Sequence, residues 1–175
     1  YIFLMNFPWI RDGFWWIRKN ISIHNYDVQN IKDLPDKYLY YPIQYSPESS
    51  INSPAPYYID QTRAIDAIRF SMPSDYVLVL KEHPACMAVR PLSFIKKLRK
   101  KSGVIVIKST ANNIELIRNA ALTISVTGSS TFEAFMLGKP SINLGGCFIS
   151  SMYNGITPID QLEKKINDLI GTEIP

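Results

Sequence analysis

The chain has 175 residues, of which 46% are hydrophobic, so the sequence predicts one globular domain that buries about 70% of its unfolded surface. The net charge of +4 is too modest to indicate nucleic-acid binding, and no run approaches the roughly 18 apolar residues of a membrane helix. Cys86 and Cys147 lie far apart with no secretory signal before them, which predicts reduced thiols in a cytoplasmic protein with no metal site.

Residues 1–36 form a leader segment that is rich in aromatic and basic side chains, among them Trp9, Trp15, Trp16 and Arg18. Three interpretations stay open for it: a helix packed on the core, a face that meets a missing N-terminal domain, and a membrane-surface anchor. Because the chain begins at Tyr1 without an initiating Met, we expect an excised domain.

Residues 37–175 alternate between strand-like and helix-like segments. Strands are predicted at 38–43, 76–80, 104–107, 122–126 and 141–144. Helices are predicted at 60–70, 92–101, 113–121, 130–137 and 159–170, with a Pro- and Ser-rich loop at 44–58. This alternation predicts an α/β fold, a Rossmann-like parallel sheet flanked by helices with right-handed crossovers.

The basic run from Lys96 to Lys101 lies within one of these predicted helices. At helical spacing, Phe94, Ile95 and Leu98 form an apolar stripe, so the charges are expected to cover the solvated face. If this face has a partner, the anionic inner leaflet of a membrane is the expected one. No aromatic side chains are interleaved with the charges to stack nucleic-acid bases, so a nucleic-acid partner is not expected.

The segment 126–140 carries the main functional signal. An apolar run breaks at Gly128 into Ser129, Ser130 and Thr131, and a helix is expected to begin there, with unpaired N–H groups that favour an anion. Glu133 follows one turn after Ser129, and its carboxylate could accept two hydrogen bonds from a ribose diol. A phosphate site beside a ribose site predicts a nucleotide.

The same residues fit a purely structural interpretation. A Ser followed three residues later by a Glu is the pattern of a capping box, and Ser130 and Glu133 have this spacing. From the segment alone, a capped helix and a nucleotide site both stay open.

A second motif lies at the end of the strand predicted at 76–80. Lys81 and His83 follow that strand, at the edge where open α/β sheets bind ligands. Pro84 keeps His83 out of the helical region, so its imidazole is expected to be held in an extended turn. From there it could donate a hydrogen bond to a phosphate or to a departing oxyanion.

Several motifs together resemble the capsule polysaccharide and surface carbohydrate biosynthesis family. They are Lys81-Glu-His-Pro84, Arg90-Pro-Leu-Ser-Phe94, Glu115-Leu-Ile-Arg-Asn-Ala120, Thr127-Gly-Ser-Ser-Thr-Phe-Glu-Ala134 and Gly138-Lys-Pro140. Upstream, Tyr41-Pro-Ile-Gln-Tyr-Ser-Pro-Glu-Ser49 is similar to the family's Pro-Leu-His-Tyr-Gln-Pro-Glu segment, with Gln44 in place of the common His. The resemblance spans roughly residues 38–146.

The resemblance implies the C-terminal half of a GT-B glycosyltransferase, with residues 37–175 as the nucleotide-sugar-binding domain. The catalytic residue it implies is His83, facing the phosphate of a CMP-sugar. The nucleotide-binding residues it implies are Lys81, Ser129, Ser130, Thr131 and Glu133, the last on the ribose. Glu48 and Arg90 match family positions, and Gln44 stands where the family commonly has His; all three are candidates for substrate binding.

The implied partners are a nucleotide-sugar donor such as CMP-Kdo, a polysaccharide or glycolipid acceptor, and an N-terminal domain that supplies the general base. No cofactor or metal is expected, and the implied location is cytoplasmic or peripheral at the inner membrane. Two alternatives stay open. One is a CDP-glycerol-type phosphotransferase of teichoic-acid-like polymer synthesis, and the other is a non-catalytic carbohydrate-assembly module.

Overall fold

The computed structural model describes residues 12–13, 16–17, 20, 26–45, 55–86, 90–146 and 155–170. The strands are β1 (Tyr38–Pro42), β2 (Val77–Lys81), β3 (Val104–Ile107), β4 (Leu122–Ser125) and β5 (Ser141–Asn143). The α-helices are α1 (Thr62–Ser71), α2 (Leu92–Arg99), α3 (Asn113–Asn119), α4 (Ser130–Met136) and α5 (Leu162–Leu169). Short 3-10 helices cover Ile31–Asp33, Pro56–Tyr58, Pro84–Cys86 and Ile159–Gln161.

The strands form one parallel sheet in the order β3-β2-β1-β4-β5. Tyr40 in the central strand pairs with Val79 of β2 on one side and Thr123 of β4 on the other. In chain order, β2 and then β3 are added on one side of β1, and β4 and then β5 are added on its other side. The strand order reverses at the β1–β4 boundary, which is where open α/β sheets place their ligands. The predicted Rossmann-like parallel sheet is confirmed.

Both faces of the sheet are covered, which explains why its strands are nearly continuous apolar runs. Leu39 and Tyr41 belong to the core on the side of α1, α2 and α5, where Ile65, Leu98 and Ile166 pack. Tyr38 and Tyr40, the alternating residues of β1, belong to the core on the other side. There they pack with Leu116 and Ile117 of α3 and Ala134 of α4.

Local signals set the ends of the helices that lie nearest the candidate site. The side chain of Asn112 caps α3 by accepting a hydrogen bond from the Glu115 N–H at 3.2 Å. After α4, Gly138 adopts a left-handed φ of 66° and Pro140 follows. Glycine tolerates this conformation and proline cannot continue a helix, so the chain turns into β5 as predicted.

The basic helix α2 has the predicted amphipathic arrangement. Ile95 and Leu98 are buried, whereas Lys96, Lys97 and Arg99 are exposed. The charged run therefore forms a solvated face.

Two other predictions fall partly outside the described residues. Cys86 is buried, with its Sγ 3.8 Å from Arg90 Nη2, and Cys147 lies outside the described part of the chain. Most of the aromatic leader is likewise outside it, but residues 27 and 28 lie along β3, where the Asp27 N–H donates to the Val106 carbonyl at 2.8 Å. Among the described residues, no helix is long and apolar enough to span a bilayer.

Candidate functional site

The predicted site residues lie at one edge of the sheet, because the carboxyl ends of parallel strands share an edge. Gln44 follows β1, His83 follows β2, and Ser129 follows β4. Since β1 lies between β2 and β4, His83 and Ser129 come from strands two spacings apart, which is roughly 10 Å. The sheet order therefore brings the two separately predicted motifs to neighbouring positions.

Glu133 is half-buried at this edge and already holds two hydrogen bonds. The hydroxyl of Ser129 donates to Oε1 at 3.0 Å, and the amide nitrogen of Asn113 donates to Oε2. The N-cap of α4 is Ser129, and no side chain forms a cap hydrogen bond there. The capping box between Ser130 and Glu133 therefore does not form, because Asn113 and Ser129 take the carboxylate instead.

The three hydroxyls before and within α4 have different surroundings. Ser129 is exposed. Ser130 is buried and lies 3.4 Å from the Asn113 amide nitrogen, whereas Thr131 is fully buried and donates to Asn143 Oδ1 at 2.6 Å. Ser130 and Thr131 thus connect the start of α4 to α3 and β5, whereas the exposed Ser129 donates its hydroxyl to Glu133.

Lys81, the last residue of β2, is electrostatically linked to the Glu133 carboxylate. Burial lowers the pKa of the Lys81 ammonium group, and the negative charge of Glu133 partly offsets this. The ammonium group at the end of β2 and the carboxylate in α4 therefore interact electrostatically.

The imidazole of His83 is exposed, and its environment selects one tautomer. Nδ1 accepts a hydrogen bond from the Ala85 N–H at 3.2 Å, and the ring packs edge-on against Tyr45 with centroids 5.9 Å apart. In neutral imidazole the nitrogen that does not accept carries the proton, so Nε2–H is the outward donor. This is the form that can donate to a phosphate oxygen.

A buried ion pair behind His83 was not found from the sequence. Glu82 is 1% exposed, and its Oε1 accepts from Arg90 at 2.9 Å and from the His83 N–H at 2.9 Å. Burial raises the pKa of Glu82 to about 7, although the charge of Arg90 acts in the opposite direction. Glu82 Oε2 has no hydrogen-bond partner among the described residues. The pair fixes the backbone that carries His83.

Gln44 fills the boundary between β1 and β4. Its side chain is buried. The backbone N–H of Gln44 donates to Gln61 Oε1 at 2.8 Å, and the backbone carbonyl of Gln44 accepts from Gln61 Nε2 at 2.8 Å. With Oε1 turned towards the β4 loop, its side chain accepts from the backbone N–H groups of Thr127 and Gly128. Gln44 therefore shapes the loop that leads into Ser129.

Arg90 connects the same region to a neighbouring cleft. Its Nη2 donates to the Gln44 carbonyl at 2.7 Å, and its guanidinium stacks on the Phe94 ring, 4.8 Å from the centroid. Arg90 lines a cleft of about 410 Å³ together with Gln61 and Lys97. Substrate binding by Arg90 and Gln44 stays a prediction, and Glu48 lies outside the described residues.

The sequence matches one family model over most of its length. The model describes a capsule polysaccharide biosynthesis protein and matches residues 15–168. No curated protein shows significant sequence similarity to the chain.

Solved structures share the fold at low sequence identity. A UDP-GlcNAc 2-epimerase from Methanocaldococcus jannaschii superposes with a TM-score of 0.57 at 16% identity, covering 81% of this chain and 41% of the epimerase. The Thermosulfurimonas dismutans KpsC beta Kdo 2,7 transferase gives 0.54 at 19% identity, covering 88% and 53% respectively. The beta Kdo 2,4 transferase of the same organism's KpsC gives 0.55 at 16%, covering 89% and 54%. The chain thus spans about half the length of these structures.

Proposed function

Because the chain belongs to the capsule polysaccharide biosynthesis family, we propose that it is the donor-binding domain of a GT-B glycosyltransferase that uses a CMP-activated sugar such as CMP-Kdo. The observation that carries the proposal is the convergence of His83, Lys81 and Glu133 at the carboxyl edge, beside the reversal of strand order. Two structures with this fold are Kdo transferases, and an epimerase with it was solved with UDP-GlcNAc and UDP. These likenesses support a nucleotide-sugar ligand.

In the proposed complex the nucleotide lies along the carboxyl edge. The Nε2–H of His83 donates to the phosphate from the β2 side, and the exposed Ser129, whose hydroxyl donates to Glu133, borders the site on the β4 side. Lys81 adds positive potential, partly neutralised by Glu133. The Glu133 carboxylate binds the ribose through the lone pairs that its present partners leave available.

The proposed reaction is displacement at the anomeric carbon of the donor sugar. The oxygen of an acceptor hydroxyl, on a polysaccharide or glycolipid, forms a bond to that carbon while the bond from the carbon to the CMP phosphate breaks. Negative charge develops on the departing phosphate, where a fixed donor such as His83 is most effective. By resemblance to GT-B transferases, the base that takes the acceptor proton belongs to the opposite wall of the cleft.

Competition between donors tests this proposal. Bound CMP is displaced by CMP-Kdo or by CDP-glycerol, and the two inhibition constants are compared. We expect CMP-Kdo to be the stronger competitor. Stronger displacement by CDP-glycerol would favour a phosphotransferase, in which the nucleophile attacks phosphorus. Absence of binding by CMP and by both donors would instead indicate a non-catalytic module.

A further inference from the structure

Asn113, in the first turn of α3, links the buried interior of the sheet to the candidate site. The hydroxyl of Tyr40, in the central strand, donates to Asn113 Oδ1 at 2.6 Å. The amide nitrogen of Asn113 donates in turn to Glu133 Oε2, and lies 3.4 Å from the Ser130 hydroxyl. Glu133 and Ser130 belong to the predicted site, whereas Tyr40 and Asn113 were not among the predicted site residues.

Tyr40 determines which way the Asn113 amide faces. Its side chain is fully buried, and burial together with the charge of Glu133 raises the pKa of its hydroxyl, so the hydroxyl keeps its proton and can donate. If the amide were reversed, its oxygen would face the Glu133 carboxylate and its nitrogen would face the donating hydroxyl. The observed orientation is the one that satisfies both neighbours.

These contacts determine how many further hydrogen bonds the Glu133 carboxylate can accept. An ionised carboxylate offers about four lone-pair sites, two on each oxygen. Ser129 occupies one site on Oε1 and Asn113 occupies one on Oε2. Among the described residues nothing else occupies these oxygens, so one site on each is left, which matches the two adjacent hydroxyls of a ribose.

We propose that Asn113, oriented by Tyr40, is a positioning residue that fixes the Glu133 carboxylate for recognition of a ribose diol, and so makes the site selective for ribonucleotides. This inference rests on the proposed function, because it takes Glu133 as the ribose-binding group. Asn113 itself acts through the carboxylate.

The affinity ratio between CMP and dCMP, measured by calorimetric titration, tests the proposal, since dCMP lacks one of the two hydroxyls. We expect the wild type to prefer CMP by about tenfold or more, the effect of one hydrogen bond to a charged group. Asn113→Ala should bring the ratio close to one, mainly by weakening CMP. Tyr40→Phe removes only the hydroxyl and should reduce the ratio severalfold.

Asn112→Ala is the matched control, because the neighbouring asparagine caps α3 and, within the described part of the chain, forms no hydrogen bond with Glu133. It should lower the melting temperature and keep the wild-type ratio. An unchanged ratio in both Asn113→Ala and Tyr40→Phe, with loss of the ratio in Glu133→Gln, would overturn the role of Asn113 and leave the proposed function standing. Equal wild-type affinity for CMP and dCMP would overturn it as well, whereas absence of CMP binding would refute the proposed function itself.

Discussion

At the scale of single residues, the structure separates side chains that can meet a ligand from side chains that hold the fold. His83 and Ser129 are exposed at the carboxyl edge, and Glu133 is half-buried and contacts Ser129 and Asn113 of α3. Glu82 and Thr131 are buried directly behind these groups. The following substitutions use this difference.

Replacing His83 by Ala should weaken CMP binding about tenfold or more, because a hydrogen bond to a charged phosphate contributes about 1.5–3 kcal/mol. His83→Gln retains an N–H donor near the position of Nε2 and should lose less affinity. Calorimetric titration of both variants with CMP measures the difference. If His83→Ala binds CMP as tightly as the wild type, the imidazole does not contact the phosphate.

Glu133→Gln should weaken CMP clearly while the melting temperature barely moves. The capping box is not formed, so the substitution removes no helix cap, and its stability cost should stay well under about 1 kcal/mol. Thermal unfolding and CMP titration are measured on the same sample. A lower melting temperature together with intact CMP affinity would assign the residue a structural role.

Glu82 gives stability a pH dependence whose sign follows from burial. Its folded-state pKa is raised from 4.5 to about 7, so between these values the folded protein binds more protons than the unfolded chain. Its contribution to stability therefore falls as pH rises through this window, by about 3 kcal/mol in total. Urea unfolding at pH 5 and pH 8 should show this loss in the wild type.

Glu82→Gln should remove that part of the slope, because glutamine does not titrate. The same change at the exposed Glu163 of α5 is the matched control and should keep the wild-type slope. A Glu82→Gln variant with an unchanged pH profile would contradict a buried, titrating Glu82.

At the scale of elements, the decisive contact is between the end of β1 and the loop from β4 to α4. A Cβ added to Gly128 would lie 2.7 Å from the end of the Gln44 amide and 2.8 Å from Ser125 Oγ. Both distances are shorter than ordinary van der Waals contact, so a larger residue at position 128 would force the buried side chain of Gln44 or Ser125 to shift. The backbone course that presents Ser129 thus depends on a residue from another strand.

Gly128→Ala should therefore lower the free energy of unfolding by about 1–3 kcal/mol, the usual cost of overpacking. In a Gln44→Ala background the same substitution should cost less, because one of the two close contacts is gone. Gly13→Ala is the control, since a Cβ there meets no atom of the described residues within 4 Å. Additive effects of the two substitutions, measured by denaturant unfolding, would contradict the contact.

The elements themselves could be predicted from the sequence because their signals are local. Apolar runs marked the five strands, and Asn112, Gly138 and Pro140 marked helix ends. One difference concerns α2, predicted to reach residue 101 but ending at Arg99. Lys101 lies beyond the helix and pairs with Asp66 of α1 at 2.6 Å, a contact that depends on packing between two helices.

The site could be predicted only in part, because several of its contacts depend on tertiary packing and not on local sequence. The motifs correctly indicated which segments reach the carboxyl edge, since that follows from strand order. The Ser130–Glu133 spacing suggested a cap, but Asn113 is brought to Glu133 by the packing of α3 on α4. No local pattern contains this contact, nor the burial that joins Glu82 to Arg90.

At the scale of the whole molecule, the proposed donor site lies at the carboxyl edge of the sheet, and helices pack on both of its faces. Helices α1, α2 and α5 cover one face, and α3 and α4 cover the other. The carboxyl edge, with its reversal between β1 and β4, is thus left as the surface on which chemistry-bearing side chains collect. The family match extends over this entire region.

The central claim is that this edge binds a cytidine nucleotide, and calorimetric titration of the wild-type chain with CMP, CDP, UMP and GMP tests it most directly. The account predicts binding of CMP or CDP in clear preference to UMP and GMP, with the heat signal reduced in Glu133→Gln. Preference for UMP would contradict the CMP-sugar assignment and point to a uridine-linked donor. No binding of any of the four nucleotides would contradict a nucleotide site at this edge.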